Sequence, residues 1–244
     1  MATLKGRLTA ERYVTIVRIA LVALYVIVVT GALVRLTGSG LGCSDWPRCS
    51  ESRFIDVSTG HGAIEQINRL FTGLVAASVA LAVLGSLLLA VRRRVLTTLS
   101  LGLVAGVVAQ IIIGAVVVVT GLNPFANMAH FLVSMCLVAC AFMLDRSSRI
   151  DALRHVIRPV PRRILALHRV LVASATVAIV TGTVVTATGP HAGSEDAVRF
   201  GFRLVSVARV HSVAVIATVA LMCMTMLRLR NDHTDAGRST RGRP

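Results

Sequence analysis

Long apolar runs, separated by short polar connections, occupy most of the chain from residue 14 to residue 227. A helix needs about 20 predominantly apolar residues to cross the hydrocarbon core of a bilayer. Runs of roughly that length fall at 14–36, 66–91, 96–120, 126–144, 165–188 and 204–227. The pattern therefore predicts an all-α integral membrane protein with six transmembrane helices.

The composition agrees with this prediction. The 244 residues are 55% hydrophobic but only 4% aromatic, and the mean hydropathy is +0.77. Soluble domains are typically about 45–50% apolar. The first apolar run is too long for the core of a cleavable signal peptide and lacks a small-residue cleavage site, so we expect it to be a transmembrane helix.

The basic residues are unevenly distributed. The net charge of +15 raises the question of nucleic-acid binding, but Lys and Arg concentrate in alternate connections, at 5–12, 92–94, 146–163 and 228–243. By the positive-inside rule, this alternation predicts that both termini are cytoplasmic. Basic segments beside a bilayer orient the helices and contact anionic lipid. We therefore expect a multi-pass protein of the cell membrane that contacts lipid and binds no nucleic acid.

The chain contains an internal repeat. Residues 30–38 read TGALVRLTG and residues 181–189 read TGTVVTATG, an offset of 151 positions. The connection between the two copies is rich in Arg and contains Pro159 and Pro161, as expected at a boundary. The predicted organisation is an N-terminal four-helix bundle at 1–144, a cytoplasmic linker at 145–163, a partial two-helix repeat at 164–230 and a polar cytoplasmic tail at 231–244.

The five cysteines fall into two groups. Cys136, Cys140 and Cys223 lie inside predicted spans, where thiols behave as small hydrophobes. Cys43 and Cys49 share the first predicted outer loop, in a compartment that permits disulfides. We predict that Cys43 and Cys49 pair. Two free thiols are an alternative, and a metal site is disfavoured because no third soft ligand lies nearby.

Polar residues gather near the predicted outer ends of the spans. Such residues are costly in hydrocarbon and are therefore candidates for function. His61, Glu65 and Asn68 share one face of the second span. His130 lies near the outer end of the fourth span, and His211 lies near the outer end of the sixth.

Histidines at one depth in a helical bundle are the arrangement that holds a heme. A neutral imidazole binds the iron through one ring nitrogen. A single histidine is more simply interpreted as an interfacial residue bonded to a neighbouring helix. His130 and His211 share one depth, and we interpret their positions as repeat-related, which favours heme.

The charged residues near this depth have two interpretations. Glu65 and Arg69 have the i, i+4 spacing of an ordinary helical ion pair, and that interpretation stays open. Long basic side chains at helix ends also snorkel to lipid phosphates, or they pair with heme propionates. Both alternatives apply to Arg35, Arg69 and Arg209.

The sequence resembles the heme A synthase family in several motifs. They are RLTGSGLGCSDWPRC, IEQINR, AQIIIGAVVVVTGLNP followed by MAHFLVSM, and GTVVTATGPHAG followed by ARVH. The resemblance covers residues 14–228, and the first motif is specific because generic apolar helices do not produce it. It implies two pseudo-symmetric four-helix bundles, with heme O as substrate in the N-terminal bundle and heme b as cofactor in the C-terminal one.

The resemblance also implies an activity and a set of site residues. The implied enzyme is an oxidoreductase acting on a CH group, which converts a heme methyl to a formyl by successive hydroxylations and supplies heme A to cytochrome oxidase. Implied partners are heme O synthase, cytochrome oxidase assembly factors and further copies of the chain. Cys43 and Cys49 match the outer cysteine pair, Glu65 the catalytic acidic residue, and His130 and His211 the iron ligands of the fourth and sixth helices.

Three departures from the family pattern modify this expectation. Asn68 stands where the E-x-x-H motif of the family has histidine, and His61 lies about 10 Å away along the helix axis, so ligation in the first bundle is expected to rest on His130. The second outer loop has no cysteine. Only a polar tail follows the sixth span, so the seventh and eighth spans, with the partner of His211, are expected to be absent. A non-catalytic membrane heme-binding or assembly protein is therefore the alternative function.

Overall fold

The computed structural model describes residues 8–153 and 161–241, and side chains within 8–149 and 161–230. These residues form six α-helices and no strand. All six are long and apolar enough to cross a membrane, which confirms the predicted all-α class and the six spans. The helices are α1 (Ala10–Leu36), α2 (Gly60–Leu88), α3 (Arg94–Val119), α4 (Pro124–Leu153), α5 (Arg162–Thr188) and α6 (Leu204–Arg241).

Several helices extend beyond the predicted apolar spans. The helix α2 begins at Gly60 because the Thr59 hydroxyl accepts a hydrogen bond from the Gly62 amide (3.0 Å) and caps the first turn. The helix α4 continues to Leu153, into the predicted linker, since residues 145–153 contain no Gly or Pro. The helix α6 likewise continues into the predicted tail. Residues 154–160 of the predicted linker lie outside the described residues, and α5 begins at Arg162, within the last positions of that linker.

The chain divides into two compact units. The first contains α1 to α4 together with Gly189–Phe200, and the second contains α5 and α6. The core of the first unit is an apolar cluster with the fully buried side chains Tyr13, Leu96 and Leu103. Large apolar side chains also cover the outward faces of its helices, as expected of helices that are apolar all round and face lipid.

Polar contacts join the helices of the first unit at the end away from the disulfide loop. The Tyr13 hydroxyl and Ser100 Oγ are 3.2 Å apart and both side chains are buried. The Asp145 carboxylate is also buried and accepts a hydrogen bond from Arg149 Nε (3.1 Å), while Arg18 Nε lies 3.7 Å away. These contacts tie α1 to α3 and α4.

The segment Gly189–Phe200 packs against the opposite end of the first unit. The Gly40 amide donates to the Gly193 carbonyl (2.8 Å), and Ala192 and Ala197 are buried in an apolar cluster with Leu122. The residues of this segment fall within the predicted repeat at 164–230, but they belong to the first unit. Their contacts close the first bundle where α1 ends and α4 begins.

Candidate functional site

The loop between α1 and α2 contains a disulfide. The Cys43 and Cys49 sulfurs are 2.03 Å apart, with their Cα atoms 4.4 Å apart, and both residues are buried. The predicted pairing of these cysteines is confirmed. Within the described part of the chain, no group of three or more His, Cys, Asp or Glu side chains is placed to hold a metal ion.

Glu65 and Arg69 attach this loop to α2. Glu65 is 5% exposed, and its Oε2 atom accepts a hydrogen bond from the Cys43 amide (2.8 Å). Its Oε1 atom accepts from Arg69 Nε (3.0 Å). Arg69 Nη1 donates to the carbonyls of Asp45 (2.9 Å) and Arg48 (3.2 Å). The i, i+4 ion pair that the spacing allowed is therefore present, and both of its members bind the backbone of the disulfide loop.

The first part of the loop approaches the start of α2 closely. A Cβ atom on Gly42 would lie 2.4 Å from the backbone carbonyl of His61, so no larger residue fits there. The fully buried Ser39 has its Oγ 2.9 Å from His61 Nδ1 and 2.8 Å from Thr37 Oγ1. The loop is thus fixed to α2 before the disulfide and between its two cysteines.

The helix α4 positions His130 in its second turn. The helix begins at Pro124, and Asn123 Oδ1 caps it by accepting a hydrogen bond from the Phe125 amide (3.0 Å). The His130 ring lies against the helix α3, with Cε1 3.4 Å from the place where a Cβ on Gly114 would stand. Nδ1 of His130 is buried and has no partner among the described residues.

A small polar network holds the backbone at His130. The Gln110 side chain of α3 donates to the His130 carbonyl (2.9 Å) and to Ser134 Oγ. Ser134 Oγ in turn donates to the same carbonyl (2.9 Å). The Gln110 Oε1 atom is buried and, in the part of the chain that the structure describes, unpartnered.

Arg35 lies at the end of α1, under the segment Gly189–Phe200. Its Cγ atom is 3.8 Å from the place where a Cβ on Gly193 would stand. The buried Nε atom has no hydrogen-bond partner, and no acidic side chain pairs with Arg35 among the described residues. A cation and an imidazole, both without protein partners, therefore share one end of the first unit.

His211 of the second unit has a different environment. Its Nδ1 atom is 3.1 Å from the Ala178 carbonyl and 3.2 Å from Thr181 Oγ1, and the ring lies against Gly182 of α5. Because a carbonyl only accepts, we assign the proton to Nδ1, which leaves Nε2 as the free nitrogen. Metal-binding histidines commonly have this arrangement.

The repeat identifies the first-unit counterpart of His211. The offset of 151 residues relates Thr30 to Thr181, and Thr30 Oγ1 donates to Asn68 Oδ1 (2.8 Å). Thr181 Oγ1 likewise lies within hydrogen-bond distance of His211 Nδ1 (3.2 Å), so Asn68 occupies a position on α2 comparable to that of His211 on α6. The threonine contacts thus point to Asn68, rather than to the predicted His130, as the counterpart of His211.

The structure brings some predicted residues together and leaves others apart. Arg35 and His130 share one end of the first unit, and Glu65 and Arg69 bind the disulfide loop. Arg209 is exposed and has no hydrogen bond or ion pair within the described residues. Sequence reasoning missed Gln110, although an amide inside an apolar span is the kind of polar group that bonds to a neighbouring helix.

Six helices that are long and apolar enough to cross a membrane define an integral membrane protein, and the polar groups that lack a partner among the described residues at one end of its first bundle mark a candidate binding site. The family model described as "Cytochrome oxidase assembly protein" matches residues 14–61 and 53–193. The chain belongs to this family.

Three relatives named heme A synthase show the extent of the similarity. The protein of Geobacillus thermodenitrificans is 34% identical over 116 residues, which cover 46% of this chain and 35% of the relative. That of Geobacillus kaustophilus is 34% identical over 113 residues, which cover 46% of this chain and 35% of the relative. That of Lysinibacillus sphaericus is 32% identical over 127 residues, which cover 52% of this chain and 41% of the relative. The matches thus span less than half the length of these relatives, and no solved structure matches the chain.

Proposed function

We propose that this protein is a heme A synthase-type oxidoreductase, which binds heme O in the first unit and oxidises one methyl group to a formyl for cytochrome oxidase biogenesis. The observation that carries the proposal is that His130 Nδ1 and Arg35 Nε, at the same end of the first unit, are buried without a partner among the described residues. Membership of the cytochrome oxidase assembly family supports it, as do the heme A synthases among its relatives.

The residues of the first unit fit a heme substrate. His130 offers a ring nitrogen to the iron, and Arg35 offers a guanidinium to a propionate, which Arg binds well because its N–H groups form a planar fork. Asn68 faces the bundle, but its amide is a poor iron ligand and its Oδ1 accepts from Thr30. The substrate iron is therefore bound by one imidazole and keeps an open position.

Other residues position the mouth of this site. Arg69 is engaged by Glu65 and by two loop carbonyls, so Arg35 is the better partner for a propionate. Both carboxylate oxygens of Glu65 accept hydrogen bonds. We therefore assign Glu65 to positioning the disulfide loop rather than to contact with the substrate.

The second unit fits the cofactor, heme b. His211 has Nδ1 bonded to the Ala178 carbonyl, so Nε2 is the nitrogen that would hold iron. Heme b, when bound, supplies a redox-active iron. Arg209 precedes His211 by two positions and is exposed, so within the proposal it pairs with a propionate or with lipid phosphate.

One observation favours a second candidate function. Asn68 occupies the place where the other half of the repeat has His211. A chain in which His130 is the one proposed iron ligand of the first unit suits a non-catalytic heme-binding or assembly protein, because such a protein holds heme without oxidising it. Partners in either case are heme O synthase, cytochrome oxidase assembly factors or further copies of this chain.

Heme analysis separates the two functions. The full chain is expressed in membranes that contain heme O and no other heme A synthase, and extracted hemes are identified by mass. We expect heme A to accumulate with the unchanged chain and to be absent with His130→Ala. Purified protein that contains heme O at one per chain, in membranes without heme A, would instead identify a heme-binding protein.

We further propose that the protein resides in the cell membrane, with both termini cytoplasmic and the disulfide loop outside. The basic connections support this orientation. The disulfide supports it too, because cysteines oxidise in extracytoplasmic compartments and stay reduced in the cytosol.

Thiol labelling of intact cells tests the orientation and the disulfide together. A membrane-impermeant maleimide should leave Cys43 and Cys49 unlabelled before reduction and label both after it. The cysteines within the spans lie in hydrocarbon, and a Cys43→Ser/Cys49→Ser variant measures their background. Labelling without reductant would show free thiols, and labelling only after permeabilisation would put the loop in the cytoplasm.

A further inference from the structure

The motif AQIIIG of α3 contains two residues, Gln110 and Gly114, that contact His130. Gln110 is an uncharged polar residue within a span of otherwise apolar neighbours, and Gly114 follows it by one helical turn. Both face His130. Gln110 Nε2 lies 2.9 Å from the His130 carbonyl oxygen, and the imidazole lies against Gly114.

The chemistry of these contacts fixes the orientation of the Gln110 amide. A backbone carbonyl only accepts, so the Gln110 atom that faces it is the nitrogen. The nitrogen also donates to Ser134, whose own proton goes to the same carbonyl. Gln110 Oε1 is consequently turned away from this network, and it is buried without a partner among the described residues.

His130 presents the complementary unsatisfied group. Its Nδ1 atom is buried and, within the described residues, has no acceptor. Unsatisfied polar groups are costly inside a membrane protein. One water between an N–H donor and a carbonyl acceptor satisfies both, and buried waters are usual where polar groups of this kind converge.

We propose that Gln110 is the positioning residue of His130. Its amide nitrogen holds the backbone of α4, and its oxygen accepts the Nδ1 proton of His130 through one bridging water, which leaves Nε2 for the iron. Gly114 provides the space in which the ring lies. The inference rests on the proposed function, in which His130 binds the substrate iron.

The second unit supports this interpretation independently. The His211 ring also lies against a glycine, since a Cβ on Gly182 would stand 3.0 Å from Cε1. Its Nδ1 proton also goes to an oxygen, in this case the Ala178 carbonyl. Each candidate iron ligand thus lies against a glycine, and His211 has the bond from Nδ1 to an oxygen that the proposal assigns to His130.

Two Gln110 variants test the hydrogen bond. The full-length protein is loaded with iron protoporphyrin IX, and its reduction is titrated by visible absorption. Gln110→Glu keeps the shape and strengthens the acceptor towards Nδ1 while it loses the N–H donors to the His130 carbonyl and Ser134, so the imidazole becomes more electron-rich and the midpoint potential should fall. Gln110→Leu removes the acceptor, so the potential should rise and heme affinity should fall by about tenfold or more. Gln66→Leu, at a buried glutamine of α2, is the matched control and should leave both unchanged.

A His130→Ala variant identifies which titration component belongs to the first unit. If it removes no component, the proposed function fails and the role of Gln110 fails with it. If it removes one component, and that component has the same potential and affinity in both Gln110 variants, only the Gln110 inference is wrong. Shifts of the same sign in both variants would indicate disturbed packing and would also contradict it. If Gln110→Leu does not fold, the comparison of Gln110→Glu with the unchanged protein decides.

Discussion

Replacing His130 with alanine should remove heme from the first unit. The Nδ1 atom of His130 is buried without a partner among the described residues, and so is Nε of Arg35 at the same end of the unit. The heme affinity of the variant should fall at least tenfold. Removing a residue that only supports a metal ligand typically weakens metal binding by about 10–100-fold, and removing the ligand itself should weaken it at least as much. Heme per chain and the reduced absorption spectrum measure this.

His168→Ala is the matched control for this substitution. His168 is an exposed histidine near the start of α5, so its removal should change neither the heme content nor the spectrum. Full heme content and an unchanged spectrum in His130→Ala would mean that His130 is a packing residue, and the substrate site would then lie elsewhere.

The converse variant, Asn68→His, should add a second imidazole. Thr30 Oγ1 contacts Asn68 Oδ1 at 2.8 Å, so it is placed to contact Nδ1 of a histidine, as Thr181 contacts His211. Gly31, the counterpart of Gly182, has nothing within 4 Å of an added Cβ, which leaves room for the ring. We expect the reduced spectrum to become that of a low-spin, bis-imidazole heme, and an unchanged spectrum would place Asn68 away from the iron.

Helix count and class could be predicted from the sequence because hydrocarbon requires long apolar segments with internally bonded backbones. The ends of α2 and α4 could not be predicted in this way. Helix α2 begins at a Thr59 cap in a polar segment, and α4 continues through residues that are polar but helix-forming. Apolar pattern identifies the part of a helix inside the bilayer and not its polar extensions.

The candidate site could be predicted only in part. Short spacing indicated the Glu65–Arg69 pair and the cysteine pair, because neighbours in sequence are constrained to be near in space. The contacts of Gln110 with His130 and of Gly40 with Gly193 join residues far apart in sequence. Their pairing depends on how the helices pack, which no local pattern specifies. The equivalence of Asn68 and His211 emerged only from their matching threonine contacts.

Removing the Glu65 carboxylate should destabilise the first unit strongly. In Glu65→Ala the Arg69 guanidinium, whose side chain is 17% exposed, loses its counter-charge, and the Cys43 amide loses its acceptor. Breaking a buried ion pair by removing one partner typically costs about 3–5 kcal/mol. We expect a clear fall in thermal unfolding temperature in detergent and faster protease cleavage within residues 44–58.

A double-variant cycle with Arg69→Leu and a control in the same loop make this test specific. Arg53 and Asp56 form an ion pair with Arg53 60% exposed, so Arg53→Ala should leave the unfolding temperature nearly unchanged. The Glu65→Ala/Arg69→Leu variant should be more stable than Glu65→Ala alone, since no unpaired charge is left, and heme A formation should recover with the protease resistance of the loop. A double variant that regains the resistance but forms no heme A would make Glu65 a catalytic residue, because its carboxylate would then be needed after the loop is in place.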